Sequence, residues 1–379
     1  MSLDIRDIGA MADIDAQQWN ALAGVDYPFI RHEFLNALEM TGAVSSRTGW
    51  TPHHLTLWQD DRLVGAMPRY LKDHSWGEYV FDWQWADAWE RAGGTYYPKQ
   101  LSAIPFTPAT GPRLLLSGDV DTDAALAAMA EHLESAGLQS WHLLFPEASL
   151  AQQWRRCWPE LLQRSGMQYH WFDRDYGDFE GFLAAMTSKR RKEVRRERRR
   201  VAEQGLTMRR LTGREIDRSA IQHFYRCYQI TYLEHGQRGY LDIEFFYRLV
   251  QDMPESLVLV QALDETSRPV AAALCLRGST TLYGRYWGSE VETSCLHFEA
   301  CYYQGIEHCL ATGLSRFDPG TQGEHKIARG FEPTVTCSLH WLAHEGFRDA
   351  VADFLAREET VMDQMRLDAA TMLPFRQAH

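Results

Sequence analysis

The chain has 379 residues, 45% apolar and 24% charged, which excludes wholesale disorder and suits two domains of ordinary size. No window approaches the roughly 18 uninterrupted apolar residues of a transmembrane helix, the acidic N-terminus has no apolar leader core, and the seven cysteines form no CxxC, so a cytoplasmic protein with reduced thiols and no membrane span is expected. The net charge of −12 is uneven: Lys189 to Arg200 (KRRKEVRRERRR) carries +7 and the remainder −19, which argues against a DNA-binding or general nucleic-acid coat protein and for one local anion site.

In chain order, His54 to Lys72 reads as two apolar runs around Asp60-Asp61, a β-hairpin pattern. The aromatic stretch WGEYVFDWQW from Trp76 follows as a third strand, then an irregular region over about Trp83 to Pro112, rich in Trp, Tyr, Gly and Pro. Within it, Tyr96, Tyr97, Lys99 and Gln100 with Ile104 to Arg113 (IPFTPATGPR) either line a substrate channel or form a packed loop. Asp121 to Ala136 has helix caps and ends at Gly137, and the strand-like SWHLLFP comes next.

Between Tyr176 and Gln204, Asp178 or Thr187-Ser188 caps a helix that contains the basic run and ends at Gly205. Its cations cover nearly the whole circumference and leave only Val194 and Val201 apolar. Lys189, Arg190, Arg191, Arg195, Arg196 and Arg199 are candidate phosphate contacts, the alternative being a solvated helix. Glu215 to Glu234 has helical periodicity.

The first pattern then recurs. Leu257 to Arg277 is a hairpin, TLYGRYWG from Thr281 a third strand, Leu296 to Thr312 a helix ending at Gly313, and SRFDPG a short strand. This order points to a duplication, with an insert of about 27 residues in the first copy and domains over 1–170 and 171–379.

The chain has no GxG, GK[ST], GxSxG, HExxH or paired CxxC. Dinucleotide, P-loop, nucleophile-elbow and common zinc chemistries therefore leave no mark. His223 and Cys227 are four apart and read as core or a solvated face; no metal and no tightly bound cofactor are expected. Two segments do carry candidate chemistry. Arg285 to Glu290 (RYWGSE) sits between the third strand and a helix, where Arg285, Tyr286, Trp287 and the backbone of Gly288 are placed to meet an anion. Phe317 to Pro333 (FDPGTQGEHKIARGFEP) packs Glu324, His325, Lys326 and Arg329 into six residues. Glu324 or His325 suits proton acceptance, Lys326 or Arg329 suits a phosphate or carboxylate, and Asp318 is a base or a turn residue.

The stretches IPFTPATGPRLLL, KRRKEVRRERR, LYGRYWG and FDPGTQGEHKIARGFEP resemble the FemAB-like, or peptidoglycan biosynthesis/recognition, group of bacterial proteins within the GNAT superfamily of N-acyltransferases. The resemblance covers about His32 to Phe375. It implies an α/β fold of two tandem GNAT-like units, each a mixed sheet flanked by helices, and an acyl or aminoacyl transferase that joins an activated carbonyl to an amine. The second unit would hold the active centre, with Asp318, Glu324, His325 and Lys326 near the acceptor. Arg285 to Gly288 would face the donor, and Arg329, Tyr97 and Arg113 would contact substrate. The implied donor is aminoacyl-tRNA or acyl-CoA, and the acceptor an amine on a peptidoglycan precursor, small molecule or peptide. Acetyl-CoA-dependent relatives carry Arg-x-x-Gly-x-Gly/Ala after the third core strand. Here position 290 is Glu, whose carboxylate would repel a pyrophosphate and suits a tRNA-type donor better. Rival readings are an acyl-CoA N-acyltransferase and a non-catalytic binder of RNA or cell-wall fragments.

Overall fold

The computed structural model describes residues 3–234, 236–321 and 323–376. They divide into two compact units: residues up to 167 with Val335–Gln364, and Gln168–Thr334 with the segment from Met365 onward. The first break falls near the expected 170/171. The assignment of 335–364 to the second domain is corrected, because Ser338–Leu342 pairs antiparallel with Ser140–Leu144 of the first unit.

In the first unit, Asp60 and Asp61 both take positive φ, 47° and 62°. That pair of values makes the tight hairpin turn whose twist matches the strands it joins, here His54–Gln59 and Arg62–Met67. Asp4–Ile8 and Leu115–Leu116 flank the hairpin. A second set runs in the order Trp50–Pro52, Tyr70–Lys72, Lys99–Ser102 and Ser140–Leu144, the last two parallel. Asp121 caps the helix Thr122–Ser135 by accepting from the Ala124 amide at 2.8 Å. Met129 and Leu133 of that helix meet Leu55, Leu57, Trp141, Trp154 and Trp158 in the core.

Two expectations for this unit are corrected. The stretch from Trp76 is not a strand: Trp83–Arg91 is a helix, because Trp85, Ala86 and Trp89 recur at helical spacing and pack on Tyr96, Leu342 and Phe347. The third strand is instead split into Lys99–Ser102 and Leu115–Leu116, with the IPFTPATGPR segment between them. That segment is packed rather than channel-lining, since Ile104, Phe106, Thr107, Ala109 and Arg113 are all buried. Arg113 donates to Leu144 O (2.8 Å), Ala109 O (2.5 Å), Pro112 O (3.1 Å) and the Tyr27 hydroxyl (3.3 Å). Its guanidinium is occupied by the fold, not presented to a substrate.

The second unit repeats the plan. Its strands run Thr207–Thr212, Leu257–Leu263, Pro269–Arg277, Thr281–Ser289 and Arg316–Asp318, followed by the end of Leu162–Phe172. All neighbours are antiparallel except Thr281–Ser289 with Arg316–Asp318, which are parallel. Two helices precede this sheet, Phe179–Ala185 capped by Asp178, and the basic helix Ser188–Glu203. The helix Arg218–Glu234 lies on the sheet, where Thr231 Oγ1 donates to Trp287 O at 2.9 Å. The expected helix over 296–312 contains a π-turn at Glu299–Tyr303 and ends at Gly313, φ 71°. Among the described residues, no helix is long and apolar enough to cross a membrane.

The reading of RYWGSE as a loop is also corrected. Its first five residues, Arg285 to Ser289, continue the strand, and Gly288 pairs with Ala272 rather than presenting its amide to an anion. A Cβ at Gly288 would lie 1.8 Å from the Cys227 carbonyl oxygen, so the glycine serves close packing of strand on helix. Gly288→Ala should destabilise the protein by roughly 1–3 kcal/mol through overpacking, read as a drop in the thermal midpoint.

Candidate active site

The parallel ladder between Thr281–Ser289 and Arg316–Asp318 has three residue pairs and ends at Tyr283 and Asp318. Past that point the central strand runs on to Ser289, whereas its partner turns away through Pro319-Gly320. Gly284 permits this fork, since a Cβ there would sit 3.3 Å from Pro319 Cα. On its other edge the central strand is bulged: Leu274 faces Tyr286 and Cys275 faces Gly284, so the register skips Arg285. A bulge re-aims the side chain it carries. Arg285 places Nη2 3.0 Å from Asp318 Oδ2 and donates through Nη1 to Gly284 O at 3.0 Å.

Asp318 is fully buried. Its Oδ1 accepts from the Gly320 amide at 2.9 Å, and His170 Nε2 lies 3.7 Å away. Burial alone would raise its pKa, but Arg285, His170 and the Gly320 amide hold it at about 2. Asp318 is thus an anchor for Arg285 and the Gly320 turn, not a base. Burial, helped by Arg316, Arg285 and Lys326 against Asp318, pulls His170 down to about 4. The neutral ring accepts at Nδ1 from Arg316 Nη2 (2.7 Å) and meets Gln168 Oε1 at Nε2 (3.0 Å), which assigns its hydrogen to Nε2.

Lys326, in the short helix Glu324–Arg329, is buried and donates to Gly320 O at 2.6 Å. An ammonium has three donors, and among the described residues no other atom accepts from this one. Burial lowers its pKa to about 8, with Asp318 opposing and Arg285 assisting. His325 is exposed, with Nε2 2.8 Å from the Tyr302 hydroxyl and its ring near Phe298 and His297. Burial, with Arg329 and Lys326 adding to it, lowers its pKa and keeps the ring neutral at neutral pH. Glu324 is exposed. Gln322 of the same stretch lies outside the described residues.

Arg329 differs from expectation. It is buried, pairs with Glu197 at 2.6 Å and lies 3.5 Å over the Phe298 ring. It ties the Lys326 helix to the basic helix and presents no free guanidinium. Tyr286 packs into Phe224, Tyr228 and Phe246, and Trp287 against His297. These two rings are part of the packing around the central strand.

The basic helix has two faces. Inward, Val194 and Val201 are buried, and Arg198 bridges Glu299 (3.0 Å) and Glu307 (2.6 Å). Arg190 pairs with Glu193, and exposed Arg195 with exposed Glu180. Outward, Lys189, Lys192, Arg196 and Arg200 are exposed and have no carboxylate partner among the described residues, while Arg199 is 3.7 Å from Glu203. Lys192 and Arg200 were not singled out from the sequence; the helical angle of their positions is the signal that includes them. Arg191 is half-buried.

Tyr97 lies in the first unit, where its hydroxyl meets Ser75 Oγ at 2.8 Å. Ser75 belongs to a buried network in which Lys99 reaches Glu78 (2.8 Å), Asp82 (2.6 Å) and Ser75 (2.8 Å). Neither these acids nor His170, Tyr302 and Glu197 stood out in the sequence, because nothing in their spacing marks them.

Two α/β units, each with a hairpin, a parallel strand pair and a helix between those two strands, define a tandem GNAT-like protein. The chain belongs to the FemAB-like family, described as peptidoglycan biosynthesis/recognition, which it matches over residues 10–377. Membership places it among the acyl- and aminoacyltransferases. Similar solved structures include FemX, at 12% identity and TM-score 0.52 over 93% of this chain and 100% of that one. L-PGS from Bacillus licheniformis aligns at 9% identity and TM-score 0.51 over 84% and 95%. The C-terminal domain of a candidate lysylphosphatidylglycerol synthetase from Agrobacterium fabrum aligns at 10% and 0.55 over 92% and 96%. At these identities the likeness is one of fold. A comparison with curated proteins finds no match.

Asp318→Asn should leave Arg285 buried without its counter-charge and cost about 3–5 kcal/mol, seen as a large fall in the melting temperature at pH 7. Since folding depresses the Asp318 pKa from 3.8 to about 2, the wild-type advantage is complete above pH 4 and fades as pH falls toward 2. Acid titration of the melting temperature for both proteins checks the direction.

Proposed function

We propose that the protein forms an amide bond, moving an aminoacyl group from aminoacyl-tRNA to an amine of a peptidoglycan precursor in the cytoplasm. The observation that carries this reading is the Lys326 ammonium: it is buried, has a single acceptor among the described residues and stands at the strand fork. Two of its N–H groups remain for an oxyanion.

The amine nitrogen attacks the ester carbonyl, and a C–N bond forms as the carbonyl π pair moves to oxygen. Lys326 stabilises that charge from a low-dielectric setting, where a fixed donor acts more strongly than water. The surplus proton of the nitrogen passes to neutral His325, which Tyr302 orients. The C–O bond then breaks as the carbonyl re-forms, and the ribose oxygen departs with the proton that His325 took from the nitrogen. Arg285 and Asp318 fix the Gly320 carbonyl that holds Lys326. The outward face of the basic helix, Lys189, Lys192, Arg196, Arg199 and Arg200, is the surface for tRNA phosphates. Glu290, in place of the small residue of the acetyl-CoA pattern, supports tRNA over CoA as donor.

Single-turnover transfer from an aminoacyl-tRNA pool to a precursor amine tests this. Lys326→Ala should lower the rate by about 100- to 1,000-fold, the range for loss of one oxyanion donor; an unchanged rate would refute the assignment. The rate should fall above pH 8 as Lys326 deprotonates, and Lys326→Arg, which stays charged, should remove that limb. Binding of tRNA should weaken about 100-fold between 50 and 200 mM salt if four phosphates are neutralised. A joint change of Lys192, Arg196 and Arg200 to Ala should flatten that dependence. Saturable transfer from acyl-CoA without RNA would replace the donor while leaving the Lys326 role in place.

A further inference from the structure

Three side chains of unlike chemistry converge at the far end of the central strand. His223 and Cys227 stand one turn apart on the helix Arg218–Glu234, and both are buried. Glu290 follows the last residue of Thr281–Ser289, and its amide donates to Val270 O at 2.8 Å. His223 Nε2 lies 3.5 Å from Cys227 Sγ and 3.9 Å from Glu290 Oε1, and the three potential ligand atoms all fall within 4.8 Å of one another. We propose that His223, Cys227 and Glu290 form a zinc site with three protein ligands and a fourth position held by water.

The distances carry the proposal. Tetrahedral zinc, with Zn–N about 2.05 Å and Zn–S about 2.3 Å, sets N···S at about 3.6 Å and N···O at about 3.4 Å. The observed 3.5 Å matches the first, and the observed 3.9 Å is about half an ångström too long, so the Glu290 carboxylate moves inward when the metal binds. Imidazole, thiolate and carboxylate together suit zinc and not the hard cations magnesium and calcium, which take oxygen ligands. One thiolate and one carboxylate balance the charge of a divalent ion. Gly288 makes the approach possible, since any Cβ there would collide with the Cys227 carbonyl and hold Glu290 away from the helix.

Binding displaces one proton, which leaves the Cys227 thiol for solvent as the metal–sulfur bond forms. It also displaces Arg226, whose Nε lies 3.3 Å from Glu290 Oε1, whereas Arg268, 3.9 Å from Oε2, can stay with the outer oxygen. Both arginines are more than 60% exposed along their side chains, so Arg226 can swing into solvent. His223 Nδ1 is buried with no acceptor among the described residues. The site therefore lacks the outer hydrogen bond that tightens many zinc centres, and its metal should exchange readily. Occupied, it clamps the end of the strand that carries Arg285 to the helix above it.

The test uses the full chain, stripped with a chelator and titrated with cobalt(II) alone. One cobalt per chain should give the visible bands of a tetrahedral site and a near-ultraviolet thiolate-to-cobalt charge-transfer band. One equivalent of zinc should bleach both and raise the melting temperature. Cys227→Ser should abolish the charge-transfer band. Glu290→Gln should retain the band but weaken cobalt binding at least tenfold. The absence of a charge-transfer band in the wild type, or its persistence in Cys227→Ser, would overturn the proposal. If Cys227→Ser does not fold, as judged by circular dichroism, unchanged cobalt affinity in Glu290→Gln would overturn it instead.

Discussion

The buried ion pair between Arg285 and Asp318 is the constraint around which the second unit is arranged. Each charge is tolerable only because the other is present, since an unpaired charge in a protein interior costs several kcal/mol. The pair also decides backbone geometry. Asp318 takes the Gly320 amide with its second oxygen, and the Gly320 carbonyl in turn holds Lys326. A strand bulge, a strand end, a turn and a reactive-type amine are thus linked through two side chains. Without the bulge at Arg285 the guanidinium would follow the ordinary alternation of the strand, and nothing would order the fork.

The duplication was readable because its marks are local. Paired hairpins, two helices ending in glycine at the same φ of 71°, and short strands after them depend on near neighbours in sequence. The third strand of the first unit was not readable, because it is broken by a packed segment whose residues resemble a loop in composition. Its neighbour Trp83–Arg91 hid behind aromatic content, which suits strands in general, although the spacing of Trp85 and Trp89 is that of a helix. The long helix Glu345–Thr371 left no strong apolar stripe to find.

The same contrast applies to the site. The crowding of ionisable groups between Phe317 and Pro333 stands out in the sequence, and the structure places Asp318 and Lys326 on either side of the Gly320 turn and His325 against Tyr302. Their roles depend on partners more than a hundred residues away, such as His170 beside Asp318 and Glu197 beside Arg329. Charge counting cannot supply those partners. It rates Arg329 and Lys326 alike, yet one is paired with a carboxylate and the other, among the described residues, donates to a backbone carbonyl. It likewise rates every arginine of the basic helix alike, whereas Arg198 is an internal strut and Arg196 meets water.

The discontinuity of the first unit bears on the order in which the molecule matures. Strand Ser140–Leu144 needs Ser338–Leu342 beside it, and these are made far apart in time. At ordinary translation rates of about 5–20 residues per second, the intervening stretch of about 190 residues takes on the order of 10–40 s to emerge. During that interval the edge of Ser140–Leu144 has no partner strand on that side, while the main strands of the second unit are already available to pair. The first unit therefore waits for a segment made after nearly all of the second, and an unpaired edge of apolar residues is a surface that chaperones bind and that aggregates grow from. The burden on the cell's folding machinery is set here by the path of the chain, not by how stable the finished protein is.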